Sequence, residues 1–200
     1  MKRTTYFIFS MAAVVCLVGA LAYAGGYTYE SNKEHLGGNL TPADAFEMIK
    51  KDGDHTFLVD CRTRAEYQYV GHPEGAHNIP LLFLSTAASD KGYKEVDNPD
   101  FGKVLRARFN PETDTLIFLC RSGNRSCKAC NEAIKAGFAE EKVFNMMGGF
   151  EGGKNKNKDS VFYGKRWAGG WKLEGLPWTY HMEAKLMYPP DVKKIMASSK

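Results

Sequence analysis

The chain has 200 residues, 27 Lys plus Arg against 23 Asp plus Glu, and 12% aromatic residues. That length fits one domain with enough chain for a real core. The small positive balance, with no basic stripe, excludes the electrostatic footprint of a nucleic-acid-binding protein.

Lys2 and Arg3 precede an apolar run from Tyr6 to Ala22, interrupted by Ser10 and glycine, and Ala22-Tyr23-Ala24 has a small-x-small form. This layout predicts a secretory signal peptide over residues 1–24. The competing reading is an uncleaved membrane anchor, since the run approaches the roughly 20 residues that cross a bilayer. Both readings put the remaining chain outside the cytoplasm, in the periplasm of a bacterium, free or anchored to the inner membrane. Val14 and Val15 before Cys16 do not suit lipid attachment.

Residues 25–39, with glycines and no apolar periodicity, read as a linker. Thr41 and Pro42 predict the start of a helix that carries Ala45, Phe46 and Ile49 on one face. Thr56 to Cys61 reads as a buried strand, and Thr63-Arg64-Ala65-Glu66 as a capping box opening a short helix. A short strand is expected over Ala76–Ile79, a polar interruption over Ser85–Asp100, and a helix over Phe101–Phe109. The strand Thr115–Cys120, the helix Asn124–Ala136 closed by Gly137, and the strand Lys142–Met146 complete the pattern. Apolar strands alternating with helices predict an α/β fold with a parallel sheet covered on both faces.

Cys120 ends the apolar run Thr115-Leu116-Ile117-Phe118-Leu119 and is followed by Arg121-Ser122-Gly123-Asn124-Arg125-Ser126. The carboxyl edge of such a strand is where open α/β sheets bind ligands. Backbone amides of the turn, and the start of the next helix, can converge on an anion there. Arg121 and Arg125 favour a thiolate over a thiol. A core cysteine would need no such flexible, basic collar, so Cys120 is the candidate nucleophile.

These residues and their surroundings resemble the rhodanese family of sulfurtransferases from about Leu40 to Pro177. The resemblance is carried by Leu40-Thr41-Pro42, by Asp60-Cys61-Arg62 with Glu66-Tyr67, and by Gly71-His72-Pro73-Glu74-Gly75-Ala76-His77-Asn78-Ile79-Pro80. It continues in Cys120-x-x-Gly123-x-Arg125-Ser126, Gly148-Gly149-Phe150 and Gly175-Leu176-Pro177. It implies a three-layer fold with about five parallel strands, a domain over 40–180 with insertions near 85–100 and 152–170, and a tail over 181–200. It further implies that Cys120 takes a sulfur atom from a small anionic donor such as thiosulfate, forms a persulfide, and passes the sulfur to a thiol, a protein thiol or cyanide. Loop amides from Arg121 to Ser126 would hold the charge, Arg121 would meet the donor, and Asp60, Arg62 and Glu66 would support the loop. No cofactor and no metal are implied. The membrane enters only through an uncleaved leader.

Alternatives remain at this stage. Arg125 can bind donor oxygens or pair with Glu66 or Asp60, with the bracing role favoured. His72 and His77 can be read as general bases, although a thiolate held by its loop needs none. The fold is shared with phosphatases whose loop is one residue longer, and the shorter spacing here disfavours phosphate. Cys127-x-x-Cys130 invites a redox or zinc reading, but no second ligand pair exists, and a disulfide from Cys61 to one of these cysteines stays open. Phe162, Tyr163, Trp167, Trp171, Trp178 and Tyr180 either pack over the core and fix the tail or offer a docking surface for a partner. A non-turnover carrier or sensor that docks there is the second functional reading.

Overall fold

A computed structural model of the protein describes residues 28–31, 33–90 and 92–189. The expected leader, with Cys16, and the last part of the tail lie outside the described residues. The elements, in chain order, are β1 (Gly38–Leu40), α1 (Pro42–Lys51), β2 (Thr56–Asp60), α2 (Arg64–Tyr69), β3 (His72–Pro73), β4 (His77–Asn78), β5 (Leu82–Ser89) and β6 (Gly92–Asp97). They continue with α3 (Phe101–Arg108), β7 (Thr115–Leu119), α4 (Asn124–Lys135), β8 (Val143–Met146), β9 (Gly153–Lys154), β10 (Arg166–Ala168) and β11 (Trp178–Thr179). Among these, no helix is long and apolar enough to cross a membrane.

Five strands form one sheet in the order β1-β8-β7-β2-β4, every pair parallel. Side chains alternate across a strand, and β7 shows how this divides the core. Leu116 and Phe118 face a cluster with Val59 of β2, Phe101 and Leu105 of α3, and Ala129 and Ala133 of α4. Ile117 and Leu119 face the other cluster, with Ala45, Leu58, Met146, Phe150 and Trp171. The sheet is thus buried on both sides, which is why its central strands β2 and β7 carry the unbroken apolar runs Phe57–Val59 and Leu116–Leu119.

Two reciprocal caps fix the helices that flank β2. The Thr41 hydroxyl accepts from the Asp44 amide at 3.1 Å while the Asp44 carboxylate takes the Thr41 amide. Thr63 and Glu66 repeat the arrangement at the start of α2. Each box satisfies amides that a helix end leaves without partners.

Several segments differ from the sequence expectation. The end of the proposed linker is a strand, because Gly38 to Leu40 pairs with β8. The polar interruption is largely an antiparallel hairpin, β5 against β6, whose exposed faces carry no buried periodicity to reveal it. The tail sequence, Met182 to Lys200, allows a short helix or disorder, and its described residues 182–189 form no helix. Its Leu186 is buried, and the Leu186 carbonyl accepts from the Asn78 amide at 2.8 Å, closing the β4 edge of the sheet.

His77 lies on that edge between Phe57 and Phe109, with the Arg108 guanidinium 3.4 Å from its Nδ1. Burial, followed by the positive charges of Arg108 and Lys185, pushes its pKa down to about 4. An unfolded chain protonates this imidazole near pH 6.5. Between pH 6.5 and 4 the unfolded state therefore binds a proton that the folded state refuses, so stability falls as pH falls. Urea unfolding at pH 7 and pH 5 should show wild type losing about 2 kcal/mol more than His77→Gln over that interval.

Candidate active site

Hydrogen bonds of the parallel ladder continue past β2, where the Cys61 amide donates to the Leu119 carbonyl at 2.9 Å. One residue further along β7 comes Cys120, on the same face as Cys61. The chain then turns through Gly123, at φ 101°, into α4. Left-handed backbone of this kind favours glycine. The turn aims the Gly123 amide at the Cys120 sulfur, 3.1 Å away, and sets the Ser126 hydroxyl 3.5 Å from it.

Cys120 itself is only 1% exposed, at the floor of the loop, while Arg121 and Asn124 are exposed above it and Ser122 and Arg125 are half-buried. Burial alone would raise its pKa. Hydrogen bonds from the Cys61 thiol and the Ser126 hydroxyl, the Arg125 charge and the Ser126 amide outweigh that and hold Cys120 well below the ordinary thiol range. Cys61 moves the opposite way, mainly by burial and by its contact with Cys120. Its Sγ has one proton to share between the Cys120 sulfur and the Leu119 carbonyl, 3.0 Å away, and both contacts require that proton. The pair therefore divides into a thiolate facing the amides and a thiol facing a carbonyl.

The loop is braced from two sides. Arg125 makes a two-point ion pair with Glu66, at 2.7 and 2.6 Å, so the residue that caps α2 also anchors the first turn of α4. Burial opposes the Glu66 charge, but Arg125 and the Thr63 contacts keep its pKa below the usual value. Such planar, paired hydrogen bonds are specific to arginine. Glu66→Gln keeps an oxygen for the cap and removes one acceptor from Arg125. Alkylation of Cys120 by iodoacetamide should slow about tenfold in Glu66→Gln and in Arg125→Lys, a barrier change of ~1.4 kcal/mol, as read by rapid-quench mass spectrometry.

On the other side, the Phe150 amide donates to the Cys120 carbonyl at 2.8 Å and the Glu151 amide to the Arg121 carbonyl at 3.0 Å. Gly149, at φ 60°, makes this approach possible. A Cβ there would stand 2.4 Å from the Cys120 carbonyl oxygen and 2.6 Å from the Ser122 nitrogen. Beneath Phe150, 4.4 Å from its ring, lies the fully buried guanidinium of Arg62. Arg62 donates to both Asp60 oxygens, through Nε at 2.9 and 3.1 Å and through Nη2 at 2.6 Å, and to the Gly71 carbonyl at 2.7 Å.

The structure thus gathers Arg121, Ser122, Gly123, Asn124, Arg125 and Ser126 around Cys120, and sets Asp60, Arg62 and Glu66 behind them. The two histidines are elsewhere in function. His72 is buried, stacked on Tyr67 with ring centroids 3.6 Å apart, and its Nδ1 lies 2.9 Å from the Tyr67 carbonyl. His77 belongs to the β4 edge described above. Cys127 donates to the Gly123 carbonyl at 3.1 Å, and Cys130 is buried in the core. Cys61, Cys127 and Cys130 are all free thiols, and Cys61 meets Cys120 rather than either of the others. Among the described residues no three metal-ligating side chains converge.

The sequence model described as Rhodanese-like domain matches residues 41–167. The chain belongs to this family. The rhodanese-like chain is 34% identical over 143 residues to a protein of Rickettsia rickettsii titled an uncharacterized RP600 homolog, covering 71% of this chain and 97% of the relative. It is 34% identical over 96 residues to thiosulfate sulfurtransferase 16, chloroplastic, of Arabidopsis thaliana, covering 48% of this chain and 71% of that protein. The crystal structure of Rv0390 from M. tuberculosis superposes with a TM-score of 0.56 at 34% identity, covering 73% of this chain and 99% of that one.

One contributor escaped the sequence reading. The run Lys154–Lys158 reads as a solvated loop, yet β9 and β10 form a hairpin that brings Arg166 within 4.0 Å of Glu151, whose amide holds the Arg121 carbonyl. The aromatic set divides accordingly. Trp171 is buried, its indole N–H donating to the Pro177 carbonyl at 2.7 Å, and Trp178 packs on Phe150. Phe162 and Trp167 instead stack on each other at 4.0 Å, with Trp167 53% exposed on the hairpin.

Proposed function

We propose that this rhodanese-like domain is an exported sulfurtransferase that carries sulfane sulfur as a Cys120 persulfide. The Cys120 thiolate attacks the outer sulfur of thiosulfate or a similar donor. A new sulfur–sulfur bond forms, the donor's own sulfur–sulfur bond breaks, and sulfite leaves with the electron pair. A thiol or cyanide then attacks the outer sulfur of the persulfide and restores the thiolate. This covalent intermediate divides one transfer into two easier steps.

The observation that carries the reading is the aim of the Gly123 amide and the Ser126 hydroxyl at the Cys120 sulfur. Donors already pointed at an anion need no reorganisation during the reaction. The relatedness to a thiosulfate sulfurtransferase supports the same chemistry. Export is supported by the order of charge, apolar run and small residues in Lys2–Ala24.

A second reading, a sulfur carrier that docks a partner with little turnover of its own, is favoured by the exposed stack of Phe162 on Trp167. Thiocyanate formation from thiosulfate and cyanide separates the two. Turnover that disappears in Cys120→Ser supports the enzyme, a stable persulfide without turnover supports the carrier, and aryl phosphate hydrolysis without a persulfide contradicts both.

A further inference from the structure

Glu151 is the centre of an unusual charge arrangement. One of its carboxylate oxygens lies 3.1 Å from Arg121 Nε, and the other lies 4.0 Å from Arg166 Nε. Arg121 arrives from the Cys120 loop, Arg166 from the β9–β10 hairpin. Glu151 is tied to the nucleophile through the backbone, since its amide donates to the Arg121 carbonyl and the preceding Phe150 amide donates to that of Cys120.

One carboxylate cannot neutralise two guanidinium groups. Arg166 has Nη1 on the Gly152 carbonyl at 2.5 Å, but its Nε is buried and without a hydrogen-bond partner. An under-satisfied cation in a partly desolvated place gains from an added anion. Its electrostatic surroundings agree. Burial and then repulsion from Arg121 lower its pKa, while Glu151, Cys120 and Glu66 act in the opposite sense, which places Arg166 within the field of the reacting sulfur. Arg125 is already committed to Glu66.

A doubly charged donor approaching a thiolate is repelled unless cations lie beside its path. We propose that Arg166 is a specificity-determining residue of the Cys120 site, which together with Arg121 holds the oxygen-bearing end of a dianionic sulfur donor. The proposal rests on the sulfurtransferase reading for its substrate. In the transfer, the sulfur–sulfur bond of thiosulfate breaks and both negative charges reside on departing sulfite, next to the two guanidinium groups. A donor with one charge spread over a bulky organic group gains less from Arg166. The hairpin thus selects among donors, whereas the motif loop performs the transfer.

The test uses the full chain and compares wild type with Arg166→Gln and Arg166→Lys on thiosulfate and on benzenethiosulfonate. Arg166→Gln should raise KM for thiosulfate about tenfold with kcat little changed, and shift KM for benzenethiosulfonate less than about twofold. Arg166→Lys should recover most of the loss, and added salt should weaken thiosulfate use more in wild type than in Arg166→Gln. Equal losses on both donors, or none, overturn the proposal. Sulfate, an unreactive dianion, distinguishes its failure from failure of the functional reading. Sulfate should slow alkylation of Cys120 by iodoacetamide in wild type and not in Arg166→Gln. If this difference appears but no sulfur is transferred from either donor, the anion site stands and the sulfurtransferase reading falls. If sulfate acts equally on both proteins, Arg166 has no part in anion binding.

Discussion

Cys120→Ser should eliminate sulfur transfer, lowering thiocyanate formation by at least about 10³-fold, as expected when a covalent nucleophile is removed. Serine preserves the volume of the site and can accept from the Gly123 amide, so the fold should persist and circular dichroism should match wild type. What it cannot do is ionise near neutral pH. The Cys120 thiolate is favoured by Cys61, Ser126 and Arg125 against the cost of burial. Because its pKa lies well below the ordinary thiol value, the thiolate forms at lower pH than in a free cysteine. The rate of persulfide formation should therefore rise less between pH 7 and pH 9 than the rate of a free thiol does. A cysteine with an ordinary pKa would gain rate steadily over that range. Serine at Cys61 keeps a donor beside the Cys120 sulfur and should leave the reaction in place.

Arg62→Met should be the most damaging single change to the fold, costing about 3–5 kcal/mol in urea or guanidinium unfolding, because it strands the Asp60 carboxylate in the core. Asp60 and Arg62 are both fully buried. Their pairing is reinforced by the Arg62 amide on Asp60 at 3.0 Å, and by the Asn78 side chain on the Asp60 and Arg62 carbonyls at 3.1 Å each. Arg62→Lys should recover little, since a single ammonium cannot reach both Asp60 oxygens and the Gly71 carbonyl while lying flat against Phe150. The double variant Asp60→Leu with Arg62→Met should be more stable than Arg62→Met alone, because no buried charge is then unpaired. Activity should follow through Phe150, the residue that joins this network to the Cys120 carbonyl.

The parts of this site that are legible in the sequence are those whose chemistry is local. The apolar run before Cys120, the glycine that turns the chain, and the Thr63–Glu66 box all lie within a few residues of the atoms they control. Glu66 as the partner of Arg125 was one of two options from charge alone, and the structure selects it through a contact spanning 59 residues. What stayed hidden depends on register or on short elements. Cys61 meets Cys120 because β2 and β7 run parallel in one particular alignment, which no spacing reveals. The β5–β6 hairpin exposes most of its residues, so hydrophobic alternation, the usual mark of a strand, is weak there. The strand His77–Asn78 is too short to carry a period at all. Arg166 stands in an insertion that none of the family's motifs covers, and the pairing of Arg166 with Lys154 turns it toward Glu151.

We propose that the amides and hydroxyl around Cys120 hold a sulfur anion ready to accept a second sulfur atom. Intact-mass measurement after brief exposure to thiosulfate, followed by peptide mapping, tests it most directly. A gain of one sulfur atom is expected, mapped to Cys120, absent in Cys120→Ser and removed by cyanide. A chain whose mass is unchanged by thiosulfate, or whose added sulfur maps to Cys61, Cys127 or Cys130, would contradict it.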